Sequence, residues 1–230
     1  MLKQIADVSL PTRWASFRML GFEDIDCSRS NRTPRQSALA LVLGNIRNLP
    51  VLVRIHSQCT TGDVFHSLRC DCHDQLHLAL QTIAQEGTGI LLYEHQEGRG
   101  IGLMEKLRAY ELQERGLDTI DANLRLGHPG DLRDYRLPAA ILRFLNVTSI
   151  RLMTNNPDKI DAVRAADIGI VERVSAEVRS TPFSSHYMAT KRQRLGHFCD
   201  AASSVEESAF THQNTQTTAC NVGASNGPEE

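Results

Sequence analysis

The sequence predicts an α/β protein: a three-layer mixed sheet covered by helices, with a β-rich N-terminal part. Three observations predict it. The second half alternates short apolar runs with helix-period segments, the pattern of strands joined by crossover helices. The first half holds β-rich runs broken by turn residues, which suits a hairpin or small barrel layer. The 230 residues are 41% hydrophobic with a net charge of −2, which suits one globular body plus a tail.

The elements follow in chain order. Residues 27–36 (CSRSNRTPRQ) are polar and turn-rich and read as a loop. ALALVLG (38–44) and VLVRIH (51–56) are short strands separated by an Asn-Leu-Pro break, which predicts a hairpin. Residues 76–86 carry apolar side chains at 76, 79, 80 and 83, a helical spacing. GILLY (89–93) is a buried strand, and 103–115 is a helix stopped by Gly116. Residues 136–145 are helical and 149–153 a strand. Pro157 opens a helix running to about residue 166, 168–174 is a strand, and 187–197 is a basic helix.

Charge divides the chain. Residues 200–230 hold five carboxylates and no Lys or Arg, which leaves +3 on residues 1–199. This tail is rich in Ser, Thr, Asn, Gln and Gly and is expected to be disordered, because it buries too little apolar surface to offset its ordering entropy. The body, 1–199, is expected to be one catalytic domain. Its mild positive charge suits an anionic ligand but not duplex DNA, and 5% aromatic residues argue against a stacking platform for single strands. No apolar stretch is long enough to span a membrane, and the first ten residues lack a secretory signal pattern, so a cytoplasmic protein is expected.

The richest stretch is HSQCTTGDVFHSLRCDC. Cys59, Cys70 and Cys72 fall within 14 residues. Three thiolates suit Zn²⁺, and three protein ligands leave a fourth position open, as in catalytic rather than structural sites. A bound water there becomes a nucleophile near neutral pH. Free cysteines also fill cores; the polar company of His56, Asp63, Arg69 and Asp71 favours metal. His56, His66 and His73 are alternative ligands. Cys27, Cys199 and Cys220 stand alone and receive no role.

Downstream, YEHQEGRGIGLMEKLRAY sets Gly98, Gly100 and Gly102 between a strand and a helix. Such a turn gathers backbone N–H groups for an anion, and Arg99 adds a bidentate phosphate donor. The spacing is neither a Walker A loop nor a dinucleotide fingerprint.

RIHSQCTTGDVFHSLRCDC, LLYEHQEGRGIGL, DTIDANLRLGHPGDLRDY and RLMTNNPDK, in this order, closely resemble GTP cyclohydrolase II, from about residue 2 to residue 197. The chain is too short for the dihydroxybutanone-phosphate synthase domain fused to some members. The resemblance implies zinc-dependent hydrolysis of GTP to formate, pyrophosphate and 2,5-diamino-6-ribosylamino-4(3H)-pyrimidinone 5′-phosphate, the first step of riboflavin biosynthesis. It implies one Zn²⁺ at Cys59, Cys70 and Cys72, Mg²⁺ on the triphosphate, and a homodimer that binds neither nucleic acid nor membrane. It implies GTP contacts at Arg54, Ile55, His56, Ser57, Gln58, Gln75, Glu97, Gly98, Arg99, Thr119, Thr154 and Lys159. Tyr110 matches a tyrosine implicated in ring opening. Asp131 and Arg133 match residues the family assigns as proton acceptor and nucleophile; a guanidinium, always protonated, is better suited to clamp the α-phosphate.

Two departures stand out. The family's usual His-Ser-Glu-Cys reads His-Ser-Gln-Cys at 56–59, and its Gly after the paired cysteines is His73. They motivate an alternative: a divergent paralogue that only opens the ring, uses another nucleotide, or binds nucleotide without turnover. The missing His-x-Glu and Pro-Cys-x-x-Cys signature argues against a zinc nucleobase deaminase.

Overall fold

The computed structural model describes residues 1–24, 36–47, 50–179 and 181–198. Most of the polar loop at 27–36, the tail from 200, Cys27, Cys199 and Cys220 lie outside the described residues. Seven strands form one mixed sheet: β1 (Leu2–Pro11), β2 (Ser16–Asp24), β3 (Ser37–Leu43), β4 (Val51–Ser57), β5 (Gly89–Glu94), β6 (Ser149–Met153) and β7 (Gly169–Val174), in spatial order β1-β2-β3-β5-β4-β6-β7. The pairs from β1 through β3 to β5 are antiparallel, and β5, β4, β6 and β7 run parallel.

The central strands show why two faces are covered. On β4, Val51, Val53 and Ile55 enter one apolar core while Leu52 enters the other. On β5, Ile90 and Leu92 share the first core and Leu91 the second. Strands buried on both faces belong inside a parallel sheet. Helix α2 (Cys72–Glu86) presents Ala79, Leu80 and Ile83 to the second core. Helices α5 (Arg136–Phe144) and α6 (Pro157–Ala165) present Leu137, Ile141, Leu142, Ile160 and Val163 to the first. Handedness explains the division. The β4-to-β5 connection steps one way along the sheet and β5-to-β6 steps back across β4, so right-handed crossovers deposit their helices on opposite faces.

The expected hairpin of 38–44 with 51–56 does not form. β5 lies between the two strands, pairing antiparallel with β3 and parallel with β4. A strand apolar on both faces takes two parallel neighbours, and Pro50 starts a new strand rather than closing a tight turn. The β-rich start gives no barrel: β1 and β2 form a hairpin that extends the sheet edge. The Thr12 hydroxyl turns it, donating to the Ala15 carbonyl (2.7 Å) and accepting from the Trp14 and Ala15 amides.

Other boundaries follow the sequence closely. Asn156 caps α6 through the Asp158 amide, with Pro157 in its first turn. Helix α3 spans Leu103–Glu114 and α7 spans Ser185–Leu195. Two short helices were unforeseen: α1 (Thr60–Asp63), and α4 (Thr119–Arg125), which Asp118 caps through the Ile120 and Asp121 amides. No described helix is long and apolar enough to cross a membrane.

Candidate active site

The sequence-predicted residues gather at the carboxyl ends of β4, β5 and β6, the crevice where open α/β sheets bind ligands. Ser57, Gln58 and Cys59 leave β4, Gln96 to Arg99 leave β5, and Thr154 follows β6.

Cys59 precedes α1, and Cys72 opens α2 after Cys70. The three sulfurs lie within 4.8 Å of one another, the sole such ligand group among the described residues. A tetrahedral zinc with bonds of about 2.3 Å sets its sulfurs about 3.8 Å apart; Cys59 Sγ and Cys70 Sγ stand 3.7 Å apart. Gly62 leaves room for the cluster, since a Cβ there would come within 3.1 Å of Cys70 Sγ and 3.2 Å of Cys59 Sγ. The donor set therefore fits a zinc ion. None of the alternative histidines joins it. His56 bonds Asp63, and the His66 and His73 rings lie against each other, tilted by 35° with centroids 3.8 Å apart.

Two buried groups hold this segment. Asp63, 4% exposed at its side chain, accepts from the Cys59 amide (2.9 Å), the Tyr93 hydroxyl (2.8 Å) and His56 Nε2 (3.1 Å). Burial keeps His56 below its ordinary pKa, although Asp63 opposes this; the neutral ring therefore donates from Nε2 to an acceptor-only carboxylate. Lys106 donates to Cys59 Sγ (3.1 Å) and Glu97 Oε1 (2.7 Å), while Glu97 Oε2 accepts from the Thr60 amide (2.6 Å). Burial disfavours the Lys106 charge, but the Cys59 thiolate, Tyr110 and Glu97 outweigh it and raise its pKa. Negative charge concentrates on Cys59, whose thiol is lowered by hydrogen bonds from Cys70 and Cys72 and by Lys106.

The thiols open into a cleft at the carboxyl ends of β4, β5 and β6. Gln58, Gly98, Arg99, Tyr110, Thr119 and Arg133 also line it. A second cavity is lined by Arg54, His56, Gln75, Thr154 and Lys159. Ser57, Cys72, Arg133 and Tyr187 border both. Three sequence candidates stand behind this lining. Ile55 buries its side chain in the core, and its carbonyl accepts from Lys159 Nζ (2.8 Å). Glu97 anchors Lys106. Asp131 holds Arg133, accepting from its Nε (2.9 Å) and its terminal nitrogen.

Electrostatics favour an anion. Arg99 sits at φ 60° between Gly98 and Gly100, both also at positive φ, a conformation costing a non-glycine residue about 1–2 kcal/mol. The turn buries both terminal guanidinium nitrogens without a hydrogen-bond partner. Burial and the charges of Arg54 and Arg133 drive the Lys159 pKa well down. Asp131 is pushed up by burial, yet bonds to Arg133 win and leave it below its ordinary value, ionised. Glu94, 1% exposed, is pushed up to about 7 by burial despite Lys159 and a 2.8 Å bond from Gln96.

Lys106, Glu94, Tyr187 and Lys191 were not foreseen from sequence. The contacts that bring them to the site are distant in sequence, such as Lys106 to Cys59 and Lys191 to Asp71, and only the position of Lys106, one turn into the helix after the glycine run, offers a local signal.

Fold and site together define a class: an α/β protein whose three-cysteine ligand set opens into a cation-lined cleft. The chain belongs to the GTP cyclohydrolase II family, whose sequence model matches residues 3–175. It is 49% identical over 200 residues to a GTP cyclohydrolase-2 of Pectobacterium atrosepticum, covering 86% of this chain and 98% of that one. A GTP cyclohydrolase-2 of Pasteurella multocida is 46% identical over 199 residues, covering 86% and 88%. The riboflavin biosynthesis protein RibBA of Parabacteroides distasonis is 50% identical over 192 residues, covering 83% of this chain and 46% of that one. Among solved structures, a two-domain 3,4-dihydroxy-2-butanone 4-phosphate synthase from A. baumannii covers 76% of this chain and 40% of its own, with 19% identity and a TM-score of 0.43. That likeness carries no argument.

Proposed function

We propose that this chain hydrolyses GTP as the first step of riboflavin biosynthesis. It would act as a cytoplasmic homodimer with one Zn²⁺ per chain and Mg²⁺ on the triphosphate, binding neither nucleic acid nor membrane. The observation that carries this is the clustering of three cysteine sulfurs within 4.8 Å in a cleft that also buries the unpartnered Arg99 guanidinium. Cys59, Cys70 and Cys72 would hold the zinc. When bound, such an ion supplies Lewis-acid activation of water.

The chain's own residues do the rest. Arg54 and Arg133 neutralise the triphosphate, whose charge would restore the ammonium form of Lys159 beside them, and the Arg133 fork, fixed by Asp131, clamps the α-phosphate. Gln75 steadies Arg54 by accepting from its guanidinium at 2.6 Å. Asp131, ionised, takes up a proton. Burial outweighs Lys106 and raises the Tyr110 pKa, so its hydroxyl keeps its proton and can donate at the opening ring. Two hydrolyses at C8 open the imidazole and release formate; a third cleaves the α–β phosphoanhydride and releases pyrophosphate. The product is 2,5-diamino-6-ribosylamino-4(3H)-pyrimidinone 5′-phosphate. Incubation with GTP and Mg²⁺ should yield one formate and one pyrophosphate per GTP consumed. Accumulation of a formylated product, or no consumption, would contradict the proposal.

Gln58 supports a second reading, the divergent paralogue. It lines the cleft beside the thiols and donates to Thr60 Oγ1 at 3.2 Å. A neutral amide accepts a weaker bond than a carboxylate, a difference of roughly 1.5–3 kcal/mol for a charge-assisted contact. Gln58→Glu should therefore raise GTP turnover by about tenfold or more in a steady-state formate assay. A slower variant would favour a site rebuilt around Gln and another substrate.

A further inference from the structure

The family match ends at residue 175, yet helix α7 beyond it closes the cleft. Its ties reach three segments around the opening. Lys191 Nζ donates to Asp71 Oδ1 at 2.5 Å, between two of the cysteines. Arg194 bonds Asp118, the cap of α4, and Asp121 (2.9 Å). Three residues beyond the helix end, the Phe198 amide donates to the Asn155 carbonyl at 2.9 Å, just past β6.

Tyr187 sits where the two cavities meet. The Arg99 guanidinium lies 5.7 Å from its ring centroid and the Lys191 ammonium 4.6 Å. A nucleotide with its base beside the thiols and its phosphates among Arg54, Lys159 and Arg133 must pass its ribose through this junction. The charge pattern agrees. His197 is held at about 3, by burial first and then by Lys191, Arg133, Lys159 and Arg99, so the α7 side of the second cavity faces a concentration of cations. Asp71 links the helix to the binding strand, because it also accepts from Gln75, the partner of Arg54.

Resting on the proposed GTP hydrolysis, we infer that α7 is the substrate-covering wall of the site: Tyr187 contacts the bound nucleotide at the cavity junction, and Lys191 is a positioning residue that holds the wall through Asp71. Covering the nucleotide also excludes bulk water and strengthens the charge interactions beneath it.

The test uses the full chain with Tyr187→Leu, Tyr187→Phe, Lys191→Met and Lys191→Arg. Melting temperature, steady-state GTP kinetics, and calorimetric titration with a non-hydrolysable GTP analogue are measured for each. Tyr187→Leu should raise both KM and the analogue Kd by about tenfold with a smaller change in kcat. Tyr187→Phe, which keeps the ring, should stay within about twofold. Lys191→Met should raise KM, and Lys191→Arg, which keeps the ion pair, should restore it. If the natural chain binds and turns over GTP while Tyr187→Leu and Lys191→Met match it, the inference alone is overturned. If the natural chain neither binds the analogue nor hydrolyses GTP, the proposed function falls with it.

Discussion

Replacing Cys70 by Ser is expected to lower formate release from GTP by on the order of 10³-fold and to reduce bound metal well below one ion per chain. The reason is the ligand count. Among the described residues three sulfurs within 4.8 Å form the whole ligand group, and no histidine there joins them. Serine matches the shape, but its hydroxyl keeps its proton near neutral pH and makes a poor zinc ligand. The substitution adds no volume beside Gly62, so the fold should survive. Metal analysis together with a thermal melt checks this: metal lost with the melt retained is the expected pair. Full activity in Cys70→Ser would remove the cluster from the mechanism.

Asp63→Ala should cost roughly 3 kcal/mol or more of stability, a fall in melting temperature of about 6–12 °C. It should also weaken metal binding by about 10- to 100-fold. The carboxylate accepts from three buried donors: the Cys59 amide, the Tyr93 hydroxyl and the His56 ring. Removing it leaves all three unsatisfied in a place where water has little access. The Cys59 amide is the critical one, because it fixes the turn that aims the first sulfur. Asp63→Asn keeps one acceptor oxygen but turns an NH₂ toward a donor, so it should fall between the natural chain and Ala. Denaturation curves and competitive chelator titrations measure the two effects separately.

What the sequence made legible was local. The spacing of Ala79, Leu80 and Ile83 marked the buried face of α2, and GILLY read as the buried strand it is. Pro157 marked the start of α6. The cysteines were visible because they fall within 14 residues, and their cluster is the arrangement expected of them. What escaped was set by long-range packing. Strand order cannot be read from alternation, so nothing near 38–56 announced that β5 would separate β3 from β4. β1 is exposed along most of its length and carries no apolar signature. Lys106 reaches Cys59 across 47 positions, and Lys191 reaches Asp71 across 120, separations at which no periodicity survives. The family resemblance supplied Thr119 and Thr154, whose side-chain types alone point to no chemistry.

The central claim is a metal centre of three thiolates with a fourth position open to the nucleotide cleft. X-ray absorption on the zinc-loaded natural chain tests it most directly. Three sulfur neighbours at about 2.3 Å plus one light oxygen or nitrogen neighbour is the predicted shell. Four sulfurs, or a shell of nitrogen and oxygen alone, would contradict it.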